Sequence, residues 1–295
     1  MGFDTAYEAI SEDTDTGHRW AFGTGFTDPL AGVDTTVPPG VSGADLAAYC
    51  LMLGDDALIM SHRLQQWLAR APELEEDTAL ANIALDLLGQ ARLLLTRAGT
   101  ADGSKRSEDD YAFGRGERDF RNVRLAEVGD ADFAGLMARL LIFATWRLAL
   151  LARLRSSADP VLAAVAAQGV KELTYHRDYA AQWVIRLGDG TDYSRERMRD
   201  GLVAVASLVP ELFEPSAVEQ RLAALGVAVD PAEVRAEVDS VIDRVLAEAD
   251  LELPQAAGLA GVSGQAGRNG VHTEAMGYLL AELQSVARAM PGATW

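Results

Sequence analysis

Between Asp77 and Gly99, apolar residues recur at positions 80, 83, 84, 87, 88, 91, 94 and 95. That is a 3.6-residue period held for about four turns, and it commits the segment to an α-helix with a broad buried stripe. Ala79, Leu85 and Leu93 fall on its other faces, leaving Asn82, Asp86 and Gln90 as a narrow polar line. A helix apolar nearly all round needs neighbours on several sides.

The rest of the chain supplies them. Residues 45–70 suit a helix ended by Ala71-Pro72, and a third spans roughly 131–156. A fourth starts at Asp159-Pro160, where Asp caps and Pro takes the first helical position, and ends at Leu187 before Gly188-Asp189-Gly190. Shorter helices are expected at about 194–208, 215–225 and 230–249, and a last one at about 272–290. Residues 100–130 read as an irregular connection. The glycine-rich run at 258–270 reads as a flexible one, because GQAGRNG lacks the GK[ST] ending of a phosphate loop and follows no strand. No stretch alternates long enough to demand a strand. The expected fold class is all-α: a ferritin-like four-helix bundle, two hairpin-like pairs separated by a long crossover, with additional C-terminal helices. Residues 1–42 carry no apolar period and read as an acidic, flexible extension; residues 43–295 read as the ferritin-like helical domain.

Composition narrows the function classes. Hydrophobic residues make up 49% of the chain and aromatics only 7%, so the core is built of Leu, Ala and Val. The single cysteine, Cys50, excludes an intrachain disulfide and any cysteine-based zinc or iron–sulfur site. A net charge of −18 disfavours nucleic acid and anionic membrane. The most apolar stretch, Leu140 to Leu154, is interrupted by Arg147 and Arg153 and reads as too short to span a bilayer. The N-terminus lacks the basic and apolar regions of a signal peptide, so a cytoplasmic location is expected.

Carboxylate-bridged di-iron bundles take a Glu from each of two helices and a Glu-x-x-His from each of the other two. Residues three apart share a helix face, which is why the carboxylate and imidazole reach one metal pair. This chain departs from that pattern repeatedly. The second helix offers Asp86 with Gly89 where His is needed, and the fourth offers Glu172 with Tyr175 there. His176 is one residue late and points about 100° away. The third helix holds no Asp, Glu or His between Phe133 and Arg155. The first offers Asp55 or Asp56, and His62 further on. A degenerate site or buried polar network of Asp55, Asp86, Gly89, Lys171, Glu172, Tyr175 and His176 is expected, without metal or catalytic residue, with Lys171, Arg147 or tyrosines pairing the carboxylates. Elsewhere, Thr273 reads as a helix cap, Ser61-His62 lacks a third partner, and Trp67, Trp146 and Trp183 read as core or interface anchors.

Several long segments together resemble a known family: LGDDALIMSHRLQQW (53–67), APELEEDTALANIALDLLGQAR (71–92), KELTYH (171–176), RLGDGTDYS (186–194), HTEAMGYLLAELQ (272–284) and the closing PGATW (291–295). The chain resembles the non-catalytic, structural C subunits of bacterial phenylacetyl-CoA epoxidases from about Asp45 to Trp295. The resemblance implies a division of labour. A related catalytic subunit holds the di-iron centre and the thioester substrate, a small assembly subunit helps the pairs associate, and a flavin/iron–sulfur reductase delivers electrons from NADPH. It implies no cofactor in this chain. Two rival readings differ in class: a ferritin-like oxidase using Asp55, Asp86, Glu172 and His176, and a helical interaction protein unrelated to monooxygenases.

Overall fold

The computed structural model describes residues 30–259, 265–291 and 293. Val33–Trp295 forms one compact unit, and Met1–Gly32 is assigned to another, of which only residues 30–32 are described. The extension expected at 1–42 therefore lies largely outside the described residues, as do residues 260–264 of the glycine-rich run and most of the closing PGATW.

Four long helices make the bundle: α1 (Gly43–Gln65), α2 (Leu74–Ala101), α5 (Phe133–Leu154) and α6 (Pro160–Gly188). Two short helices, α3 (Glu108–Phe113) and α4 (Arg124–Glu127), lie in the crossover; α7 (Asp192–Ala206), α8 (Ala217–Ala223), α9 (Arg235–Glu248) and α10 (Glu274–Ala289) follow the bundle. There is no strand among the described residues. α1 packs on α2 and α5 on α6, the two hairpins meet along α2 and α6, and the long connection between α2 and α5 gives the ferritin-like layout.

Capping chemistry sets most boundaries. Asp132 accepts the Gly135 N–H at 2.9 Å to open α5, and Asp159 accepts the Leu162 N–H at 2.9 Å ahead of Pro160 to open α6. The first hairpin departs from the expected ends. α1 stops at Gln65, and Ala69 turns the chain with φ 62°. The Asp77 carboxylate takes the backbone N–H groups of Ala69 and Ala71 at 3.0 and 3.2 Å, so it holds the turn while α2 starts earlier, at Leu74. Acidic Glu75, Glu76 and Asp77 in that first turn suit the positive end of the helix dipole.

Only α5 is buried almost throughout; α1 is buried nearly continuously from Leu46 to Ser61. These two are the inner helices. α4, α8 and α10 cover α1, while α7 and α9 cover α5. α2 and α6, expected to be surrounded, expose an outward face that includes Leu74, Leu85 and Tyr175. At 22 residues, α5 is also longer than the apolar stretch read from sequence, and by length and composition it could cross a membrane, as could α2. Its apolar window is 94% buried within the bundle, so that surface is already spent on α6, α7 and α9. Trp67, Phe133 and Trp183 meet edge-to-face across the hairpins, with centroids 6.3 and 5.0 Å apart, and Trp146 donates its indole N–H to the Leu212 carbonyl at 2.8 Å.

Asp159 does more than cap. Its second oxygen receives the Arg97 guanidinium, and both side chains are fully or almost fully buried. Arg97 also donates to the Thr35 carbonyl at 2.5 Å, which fastens the segment ahead of α1 to the end of the bundle. Replacing Asp159 by Ala removes a cap and leaves Arg97 buried without its anion. Denaturant unfolding of Asp159→Ala is expected to show a loss of about 3–5 kcal/mol, the cost of breaking a buried pair. A loss near 1 kcal/mol would match the cap alone and show that the pair is not sealed from water.

Candidate functional site

The centre of the bundle is occupied by a cation that belongs to the chain. Arg147, on α5, is fully buried. Its Nε donates to Gln90 Oε1 on α2 at 3.0 Å and its Nη1 to the Leu53 carbonyl on α1 at 3.1 Å. Gln90 Nε2 in turn donates to Glu172 Oε2 on α6 at 2.8 Å. One guanidinium thus ties all four long helices together. Burial pulls its pKa down to about 10, with Asp56 and Glu172 acting the other way, so Arg147 remains charged at neutral pH. Arg147 Nη2 is buried without a partner.

The carboxylates of α1 are already neutralised. Asp55 is gripped by both Nη atoms of Arg115, with Nη1 2.9 Å from Oδ2, and its Oδ2 accepts the Arg121 backbone N–H at 2.8 Å. Asp56 receives Arg268 in a two-pronged pair at 2.9 and 2.9 Å, and the Val123 N–H at 2.8 Å. Both Asp side chains are 0% exposed, which such pairing and hydrogen bonding make tolerable. Burial alone would lower the pKa of Arg268, but the facing Asp56 outweighs it and holds the group well above its ordinary value.

Arg268 sits in a glycine-flanked turn, Gly267–Asn269, inside the run expected to be a flexible connection. Residues 265–270 are instead a docked plug. Arg268 reaches the Met52 and Arg121 carbonyls at 3.1 and 2.8 Å, and the Gly267 N–H bonds Glu211 at 3.0 Å. A Cβ on Gly267 would meet the Asn122 carbonyl oxygen at 2.1 Å, so glycine permits this approach.

The remaining expected residues lie on α2 and α6. Asp86 Oδ2 is 3.0 Å from His176 Nε2; the imidazole is fully buried, whereas the Asp86 side chain is 37% exposed. Glu172 is half-buried and takes the Gln90 and Gln168 amides rather than a charge. Lys171 and Tyr175 are exposed on the outer face of α6, away from the Arg147 relay. Gly89 is exposed too, with open space where a side chain would begin, and Gln90 is the α2 residue that turns inward. The structure brings together Asp86 with His176 and Glu172 with Gln90, but Asp55 is bound elsewhere. Among the described residues, the one cluster with three ligand atoms close enough to share an ion is Glu73, Glu75 and Glu76, at the start of α2 and away from the bundle centre. Asp55, Asp86, Glu172 and His176 do not form such a cluster.

The cations that pair the carboxylates differ from those expected. Arg115 and Arg268 come from irregular segments, where no period marks a buried face. A further centre has no counterpart in the sequence reading. Glu127, fully buried, accepts from Asn122 at 2.8 Å, from His272 at 2.7 Å and from the Thr273 N–H at 2.5 Å. Thr273 stands at the cap position of α10, but its side chain makes no capping bond; Glu127 satisfies its backbone instead. The one available sequence signal is the adjacent Asp55-Asp56 on an otherwise apolar helix, which demands two cations from somewhere.

The family model described as phenylacetic acid catabolic protein matches residues 32–295. The C subunit of the 1,2-phenylacetyl-CoA epoxidase of Escherichia coli (strain K12) is 42% identical over 250 residues, covering 85% of this chain and 99% of that protein.

The two kinds of carboxylate separate experimentally. Arg268→Met leaves Asp56 buried and uncompensated and is expected to cost about 3–5 kcal/mol in denaturant unfolding. Asp56→Asn in the same chain should recover part of that loss, because the two residues act as a unit. Glu172→Gln, at a half-exposed position with amide partners, is expected to cost less than about 1 kcal/mol. Equal losses at the two positions would contradict the difference in burial.

Proposed function

Because this chain belongs to the phenylacetic acid catabolic protein family, we propose that it is the structural, metal-free subunit of a phenylacetyl-CoA epoxidase, paired with a separate di-iron subunit. The relative's name supplies the complex; Arg147 carries the structural half of the reading. A bundle that binds two irons must aim several anionic or imidazole donors inward. Here a fixed positive charge stands among the four helices, and the α1 carboxylates are each held by an arginine. A divalent ion placed beside Arg147 would meet like charge and donors already committed to other partners.

In this reading the chain contributes a rigid bundle surface, and the chemistry belongs to its partner. A small assembly subunit and a reductase complete the complex. The cytoplasm, where a CoA thioester would be available, is the proposed location. The rival reading, an oxidase using Asp55, Asp86, Glu172 and His176, would require Arg115 to release Asp55 and His176 to release Asp86 before any ion could bind.

Two measurements test the proposal. After reconstitution with ferrous iron, elemental analysis of the purified chain is expected to find only traces, whereas about two irons per chain would restore the oxidase reading. Co-expressed with the di-iron subunit of the same organism, the chain is expected to co-elute on size-exclusion chromatography, and ring epoxidation of phenylacetyl-CoA should require it. Separate elution, with full activity in its absence, would overturn the structural role.

A further inference from the structure

The His272 ring is flanked by acceptors on both sides. Nδ1 lies 2.7 Å from Glu127 Oε2, and Nε2 lies 3.2 Å from the Phe120 carbonyl oxygen. The imidazole and the carboxylate are both 0% exposed, so water does not replace either contact. A neutral imidazole has one N–H and one lone pair. Whichever tautomer forms, one lone pair is then aimed at an oxygen inside the protein. The imidazolium, with two N–H groups, is the form that matches both neighbours.

We propose that His272 is held as an imidazolium and that its proton latches α10 onto the bundle, so that docking of this helix loosens as the proton is lost. The surroundings support that charge. Glu127, on α4, is the nearest anion, and Glu117, on the turn 117–119, adds a second from another element. Arg63, on α1, is not bonded to His272; it donates Nε to the Glu127 carbonyl at 2.7 Å and Nη2 to the Ala275 carbonyl of α10 at 3.1 Å. On α10 itself, Glu282 faces Gln66 and His62 of α1, and Arg288 donates to the Arg115 carbonyl at 3.0 Å; neither is bonded to His272. Burial pulls the His272 pKa down, but the Glu127 hydrogen bond and charge outweigh it, leaving a value above the ordinary one.

The direction of the effect follows. A histidine whose folded pKa is raised contributes stability that is complete below its unfolded value of about 6.5 and is lost as pH rises through the folded value. The Phe120 contact is the longer of the two, so its N–H is the one given up. His62 works in a different window: burial lowers its pKa, so its titration falls on the acid side. Beneath α10 lie its buried residues Met276, Leu279, Leu280 and Gln284, the last bonded to the Ala112 and Arg115 carbonyls at 2.8 and 3.0 Å. Loosening the latch would expose this surface.

The chain holds four histidines, so selective ring-nitrogen labelling of the full protein gives few signals, and His272→Gln assigns the one required. Both ring nitrogens of His272 are expected to be protonated at pH 7. Hydrogen exchange of α10 amides, corrected for the intrinsic pH dependence, should show a loss of protection as pH rises from the ordinary histidine value through the folded one. The same peptides in His272→Gln should lack that step, and α5 should stay protected in both proteins. A neutral His272 at pH 7 in the wild-type chain would overturn the proposal, whether or not the variant folds. An identical pH profile for α10 in both chains would overturn it as well.

Discussion

The arrangement depends on adjacent buried carboxylates, Asp55 and Asp56, in the middle of α1. Two anions cannot sit side by side in an apolar bundle unless each meets a cation and fills its other lone pairs. Arg115 answers the first and Arg268 the second, each with two prongs, while Arg121 and Val123 add backbone N–H groups. The partners come from distant parts of the sequence, one from the crossover between the hairpins and one from the segment after α9. Satisfying α1 therefore pulls two irregular stretches against the bundle and turns connections into structure. Glu127 repeats the logic one layer out, drawing Asn122 of the crossover together with His272 and Thr273 at the entry to α10.

This explains which parts were legible in advance. α2, α5 and α6 show themselves because helix burial is periodic, and Asp159-Pro160 marks a boundary because capping is local in sequence. The end of α1 is different. Asp77 decides it by gripping Ala69 and Ala71, and no periodic pattern records which backbone groups a carboxylate will choose. Arg268 is harder still. A run of glycines around one arginine reads as a loose loop, and its value appears only when the chain has folded back on Asp56. Likewise, the count of apolar residues suggests that α2 and α6 are surrounded, although they form the outer face. Composition reports how much surface must be buried, not which helix is placed outside.

Which residue of α2 turns inward was not legible. Gly89 faces outward, so it is not an inward ligand position that has lost its side chain. The inward residue is Gln90, an amide whose oxygen takes Arg147 and whose nitrogen gives to Glu172. An amide can join a donor and an acceptor in this way; a carboxylate there could only accept. Gln90 is thus matched to a core whose positive charge lies on α5, and that makes the absence of carboxylates from α5 intelligible. With a guanidinium in place, that helix has no need to supply an anion.

A charge fixed to the chain differs from a bound ion in one respect that bears on the proposed structural role. An ion leaves at its own dissociation rate and takes the folding energy of its site with it. Arg147 cannot leave, and its pKa of about 10 keeps it charged through the neutral range. The tie that Arg147 makes among the four long helices therefore persists through the neutral range. The outer layer is tied differently: α10 hangs on an imidazole, a group that gives up its proton at lower pH than a guanidinium does. Constancy at the centre and responsiveness at the edge follow from the two side chains chosen, because a guanidinium holds its proton where an imidazole can release it.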